Sequence, residues 1–166
     1  EGRPLIMTDI AASYIQLSSG AVLTVFALIQ LVYRNKTAIN YILAGIFASV
    51  GFTVIYLWLF RTGLVGNLRF LIYQDITVTF IIGPLVYFYL RSIIGISAPP
   101  RRTVLLNFIP AVVSLAAVTA VNACEPSISV HYIASREYAP DYSLNRFIWW
   151  ADKFSNGCMF FYLVLS

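Results

Sequence analysis

The stretch from Ile39 to Phe60, INYILAGIFASVGFTVIYLWLF, decides the fold. It carries no charged residue and is bracketed by Lys36 and Arg61. As a helix rising ~1.5 Å per residue, it covers the roughly 30 Å of hydrocarbon in a bilayer. A helix is also the form that satisfies every backbone N–H and C=O without water. Working outward, the run Ala12 to Val32 reads the same way and stops at Tyr33-Arg34-Asn35-Lys36. A third span is expected over 68–94 and a fourth over 104–121. A fifth opens at Arg146 with Phe147, Ile148, Trp149 and Trp150 and runs to Ser166. The expected fold is therefore all-α, a polytopic transmembrane helix bundle forming a single domain over 1–166, with spans at about 12–32, 39–60, 68–94, 104–121 and 146–166.

Composition agrees. Apolar and aromatic residues make up 60% of the 166 residues and charged residues 11%, against about 25% charged in a soluble domain. Mean hydropathy is +0.80. The chain starts at Glu1 without a signal-peptide pattern, and Ser166 falls inside the apolar run that begins at Gly157. It is accordingly expected to be a fragment, four complete spans and part of a fifth, of a longer protein.

Basic residues set the expected orientation. With the N-terminus outside, the inner connections carry Arg34, Lys36, Arg91, Arg101 and Arg102 and no acid. The outer segments carry Arg3, Arg61, Arg69, Arg136 and Arg146 alongside Glu1, Asp9, Glu125, Glu137 and Asp141. Basic counts tie, but the inner residues are concentrated in short connections, and this density favours N-outside. The chain then crosses a membrane several times, with Arg91, Arg101 and Arg102 anchoring the cytoplasmic ends. The polar stretch Asn122 to Asn145 lies on the outer side.

Candidate chemistry is sparse. Asp75 sits within the third span, where a charged side chain at the helix centre costs about 2.5–3.5 kcal/mol on insertion scales. Asp152 and Lys153 lie at comparable depth in the fifth. Spans three and five start from the same side, so Asp75, Lys153 and Asn156 form a candidate outward-facing ligand pocket, with an Asp75 to Lys153 ion pair or interfacial hydration as the bland alternative. Gly83 and Pro84 mark an expected helix kink, since proline removes a helix hydrogen bond. The small-residue spacing Gly45 to Ser49, with Gly51 following, permits close helix approach. Cys124, Cys158 and the sole histidine, His131, have no metal-ligand spacing, and Cys124 and Cys158 are expected at different depths without a disulfide. No catalytic set, metal site or cofactor motif is read, so the fragment is expected not to be an enzyme.

The segment Ile82-Gly-Pro-Leu-Val-Tyr-Phe-Tyr-Leu-Arg-Ser92, followed by a basic, proline-bearing loop and Leu105-Leu-Asn-Phe-Ile-Pro110, resembles the membrane-embedded N-terminal region of bacterial AraC-family transcriptional regulators. The resemblance rests on about thirty residues and departs from the pattern at Asn107, where a histidine is expected before Phe-Ile-Pro. It implies a location in a bacterial inner membrane and a seven-helix membrane region preceding a cytoplasmic pair of helix-turn-helix DNA-binding motifs beyond Ser166. Gly83 and Pro84 would then mark a kink, Tyr87 and Tyr89 the inner interface and Arg91 the cytoplasmic end. Expected partners are the lipid bilayer, an unidentified envelope signal and DNA through the C-terminal domain; a homodimer stays open. The rivals are a multi-span sensor joined to a histidine kinase or a cyclic-dinucleotide enzyme, and part of a transporter.

Overall fold

The computed structural model describes residues 7–33, 37–97, 99–124 and 143–165. The chain folds as an all-α bundle. Among the described residues the long helices are α1 Met7–Val32, α2 Ala38–Arg61, α3 Gln74–Ile93, α4 Arg101–Cys124 and α5 Ser143–Leu165. Four of them, α1 to α4, are long and apolar enough to cross a membrane. The 23 residues of α5 match the others in length, but it carries Asp152, Lys153 and Asn156 near its middle and is more polar than those four.

The boundaries follow from local chemistry. At the start of α2, the Asn40 side-chain carbonyl accepts from the Thr37 amide at 3.1 Å, while its Nδ2 donates to Gln30 Oε1 at 2.9 Å, tying α1 to α2. The third helix departs most from the sequence reading. The span expected from Leu68 begins as α-helix only at Gln74, because two 3-10 turns, Leu64–Asn67 and Arg69–Leu71, occupy the preceding residues. Tyr73 then turns the chain at φ 66°, the left-handed region. That conformation is uncommon for a bulky residue. Burial of Tyr73 and Ile72 holds it, with exposures of 1% each. Once started, α3 runs unbroken through Gly83 and Pro84, both buried.

Sequential helices are antiparallel, as side-chain contacts record. Near one end Gln16 Nε2 reaches Val54 O at 3.5 Å, and near the other the Phe26 and Phe47 rings lie 5.8 Å apart. Gly20 and Gly51 let α1 and α2 approach: a Cβ at Gly20 would sit 2.6 Å from Ile55 Cγ1, and one at Gly51 3.3 Å from Gly20 O. At the centre α3 packs on α2, α4 and α5 and buries Ile76, Thr77, Phe80, Gly83, Pro84 and Phe88. By contrast α4 and α5 barely meet. The core gathers on the half of the bundle where α3 starts, around Tyr56, Val65, Ile72, Tyr73, Ile76, Phe80 and Val118. Exposed Val22, Leu28, Leu105 and Val112 on α1 and α4 present apolar surface of the kind a bilayer covers.

Candidate functional site

Three features are strung along α3. The first is its starting end. The Tyr73 amide donates to Tyr56 Oη at 3.3 Å, and Asn122 Nδ2 donates to Ile72 O at 2.9 Å, so the ends of α2 and α4 fix the turn that launches α3. This places Asp75 in the first helical turn, half-buried, where a carboxylate is favoured by the unsatisfied amides of a helix N-terminus.

Alongside, the Phe80 and Phe154 rings lie 6.2 Å apart and set the register of α5 against α3. Among the described residues the Asp75 to Lys153 pair is not formed. Lys153 Nζ stands 3.7 Å from Asp152 Oδ2 instead, with its side chain 57% exposed. The reason is helical geometry: one residue further along an α-helix is about 100° further round it. Asn156 is exposed and turned back on its own helix, donating to Asp152 O at 2.9 Å and to Asp152 Oδ1 at 3.3 Å. Buried Ser155 donates to the same carbonyl at 2.8 Å. Thus Lys153 and Asn156 gather on Asp152 of their own helix, and among the described residues no hydrogen bond or ion pair joins either of them to Asp75.

The second feature, absent from the sequence reading, is an apolar groove of about 460 Å³ between α3, α4 and α5. Ile76, Phe80, Pro110, Val118, Trp150 and Phe154 are among its walls. Its single polar wall residue, Ser114, shares a buried 3.2 Å hydrogen bond with Thr77 Oγ1. Small residues leave the space: Ser114 and Ala117 on α4 and Ala151 on α5 all line it. Their spacing on α4 was the available sequence signal. The volume falls within the roughly 300–1,000 Å³ of small-molecule sites.

The third feature lies at the other end of α3. Arg91 is half-buried; its Nε donates to Ser97 O at 3.1 Å and its Nη1 to Tyr87 Oη at 3.2 Å. The Tyr87 ring lies 6.0 Å from that of Tyr162 on α5. Tyr162 Oη donates to Asn107 Oδ1 on α4, and Asn107 Nδ2 donates to Thr103 O at 2.7 Å. One polar cluster therefore joins α3, α4 and α5 where the first two are otherwise linked by a short loop. Asn107 is its centre, joining α5 through Tyr162 and its own helix through Thr103.

No protein-family model, curated protein or solved structure matches this chain.

Arg101 and Arg102 are exposed in the first turn of α4. A cation there opposes the helix dipole by about 0.3–1 kcal/mol, so helix stability does not explain their placement, whereas a membrane-boundary role does. The Cys158 thiol is free and half-buried. Among the described residues, no three His, Cys, Asp or Glu side chains converge as metal ligands. His131 and the loop around it lie outside the described residues.

Proposed function

We propose that this chain is the membrane sensor and anchor region of a bacterial transcriptional regulator whose DNA-binding domain lies beyond Ser166. The observation that carries the reading is the cluster of Arg91, Tyr87, Tyr162 and Asn107. It ties α5, the helix leading toward Ser166, to the basic end of α3 and α4. Tyr87, Arg91 and Asn107 lie within the segments that resemble the AraC-family membrane region. Arg91, Arg101 and Arg102 at that end favour a cytoplasmic location by the positive-inside rule, and the N-terminus is then outside.

In this reading α3 is the coupling element. A signal acting at the Asp75 and Asp152 end shifts how α3 and α5 pack, and the cluster at the basic end passes the shift to whatever follows α5. A signal moves such an equilibrium only by its difference in affinity for the two packings. The test is transcript profiling of the bacterium that encodes the full-length protein, with and without its gene. A confined set of promoters should change, and Tyr162→Phe should reproduce part of that change at unaltered protein level. Unchanged promoters together with substrate uptake by vesicles holding the full-length protein would replace this reading with a transporter.

A further inference from the structure

The chain entering α3 is held in a conformation that its sequence does not require. Leu68 to Asp75, LRFLIYQD, contains no glycine or proline, so no residue in it is a strong helix breaker. Yet the segment forms a 3-10 turn at Arg69–Leu71, and Tyr73 sits at φ 66°, the one non-glycine residue at positive φ among the described residues. Such a residue persists only where its surroundings overdetermine it.

The hold can be followed bond by bond. A helix reaching back to Leu68 would join the Tyr73 amide to Arg69 O, the Gln74 amide to Phe70 O and the Ile76 amide to Ile72 O. In the structure a member of each of these pairs is engaged elsewhere. The Tyr73 amide donates to Tyr56 Oη near the end of α2, at 3.3 Å. Phe70 O accepts from the Gln74 side chain at 3.2 Å. Ile72 O accepts from Asn122 Nδ2 near the end of α4 at 2.9 Å, while the Ile76 amide turns to Tyr73 O at 3.2 Å. The bonds that fix the short α3 therefore take up the backbone groups that a longer α3 needs, and the two arrangements exclude one another.

We propose that residues 68–73 are a two-state latch: engaged by Tyr56 and Asn122 it leaves α3 starting at Gln74, and released it carries α3 back to Leu68 as one continuous helix. Release lengthens α3 by about 9 Å at ~1.5 Å per residue. It also takes Asp75 out of the first helical turn, where free amides favour its carboxylate. The latch stands whether or not a DNA-binding domain follows α5.

The test uses full-length protein in lipid nanodiscs, with its other cysteines replaced and spin labels at Phe70→Cys and Ile93→Cys, both exposed positions. Double electron–electron resonance reads the distance between them. A continuous helix sets the two backbones about 35 Å apart, and the left-handed turn at Tyr73 takes Phe70 off that line. Tyr56→Phe and Asn122→Leu each delete one latch bond, so each should raise the helical peak above its share in the unaltered protein. Tyr73→Ala and Tyr73→Gly lose the same buried ring but differ in backbone preference, alanine being disfavoured in the left-handed region and favoured in a helix. The ratio of helical to engaged peak should be on the order of 20- to 100-fold higher in Tyr73→Ala. A second label pair, at Val22→Cys and Leu57→Cys, shows whether each variant is folded. If the Tyr73 variants are not, Tyr56→Phe and Asn122→Leu decide. A single engaged distance in folded Tyr56→Phe and Asn122→Leu would overturn the proposal, because the segment would then be a fixed cap on α3. A broad distribution would overturn it equally, because release would then melt the segment instead of extending the helix.

Discussion

The hydrogen bond from Tyr162 Oη to Asn107 Oδ1 is the sharpest point at which to perturb the bundle. It crosses between α4 and α5, two helices that otherwise barely touch, and both side chains are half-buried. Asn107 is preoriented by its own 2.7 Å bond to Thr103 O, so little rotamer freedom remains to be lost when Tyr162 binds. Interhelical hydrogen bonds in membranes average about 0.6 kcal/mol and reach about 1.7 kcal/mol. With a preset acceptor and a neighbouring Tyr87 ring, the upper half of that range applies. Tyr162→Phe and Asn107→Ala should each destabilise the full-length protein, and the double variant should show a coupling of about 1–1.7 kcal/mol. Unfolding in mixed detergent micelles, followed by circular dichroism, provides the cycle. Additive effects, within about 0.3–0.5 kcal/mol, would refute the reasoning, because the two side chains would then be acting independently.

Other expectations follow from the same structure. Tyr56→Phe should cost about 1–3 kcal/mol by removing the acceptor of the buried Tyr73 amide, seen as a lowered midpoint in thermal unfolding. Gly20→Val should cost about 1–3 kcal/mol through overpacking against Ile55, with the loss measured in the same assay. Lys153→Met should alter stability by no more than about 1 kcal/mol, since its ion pair with Asp152 is exposed. Together with Asp75→Asn it should still change the promoter response. Unaltered signalling and stability in both variants would remove Asp75, Lys153 and Asn156 as a ligand site.

Much of the fold was legible because a membrane imposes a simple length rule. The uncharged run Ile39 to Phe60 maps onto α2 almost residue for residue. The adjacency of α3 and α5 was legible from topology alone, as helices starting from the same side. The segment before Gln74 was not. Leu68 to Tyr73 continues an apolar run, and nothing in that pattern separates a 3-10 turn from an α-helix. The left-handed Tyr73 is a non-glycine held by tertiary burial, which leaves no local signature. The Tyr162 to Asn107 contact spans 55 positions in the chain, beyond any helical periodicity. The groove escaped for a related reason: it is a gap between helices, set by small residues at Ser114, Ala117 and Ala151 whose alignment depends on the register of α4 against α5. The pairing of Lys153 with Asp152 was decided by side-chain direction, which depth in the bilayer does not specify.

The proposed regulatory function requires Arg91, Arg101 and Arg102 to lie on the cytoplasmic side of the membrane, where a DNA-binding module coupled to that end would have to be. Single thiols placed at Ser97, beside Arg91, and at Ser127, in a background lacking Cys124 and Cys158, test this in intact cells with a membrane-impermeant reagent. Ser127→Cys should react in intact cells, and Ser97→Cys should react only after the cells are opened. Labelling of Ser97→Cys in intact cells with Ser127→Cys protected would contradict it.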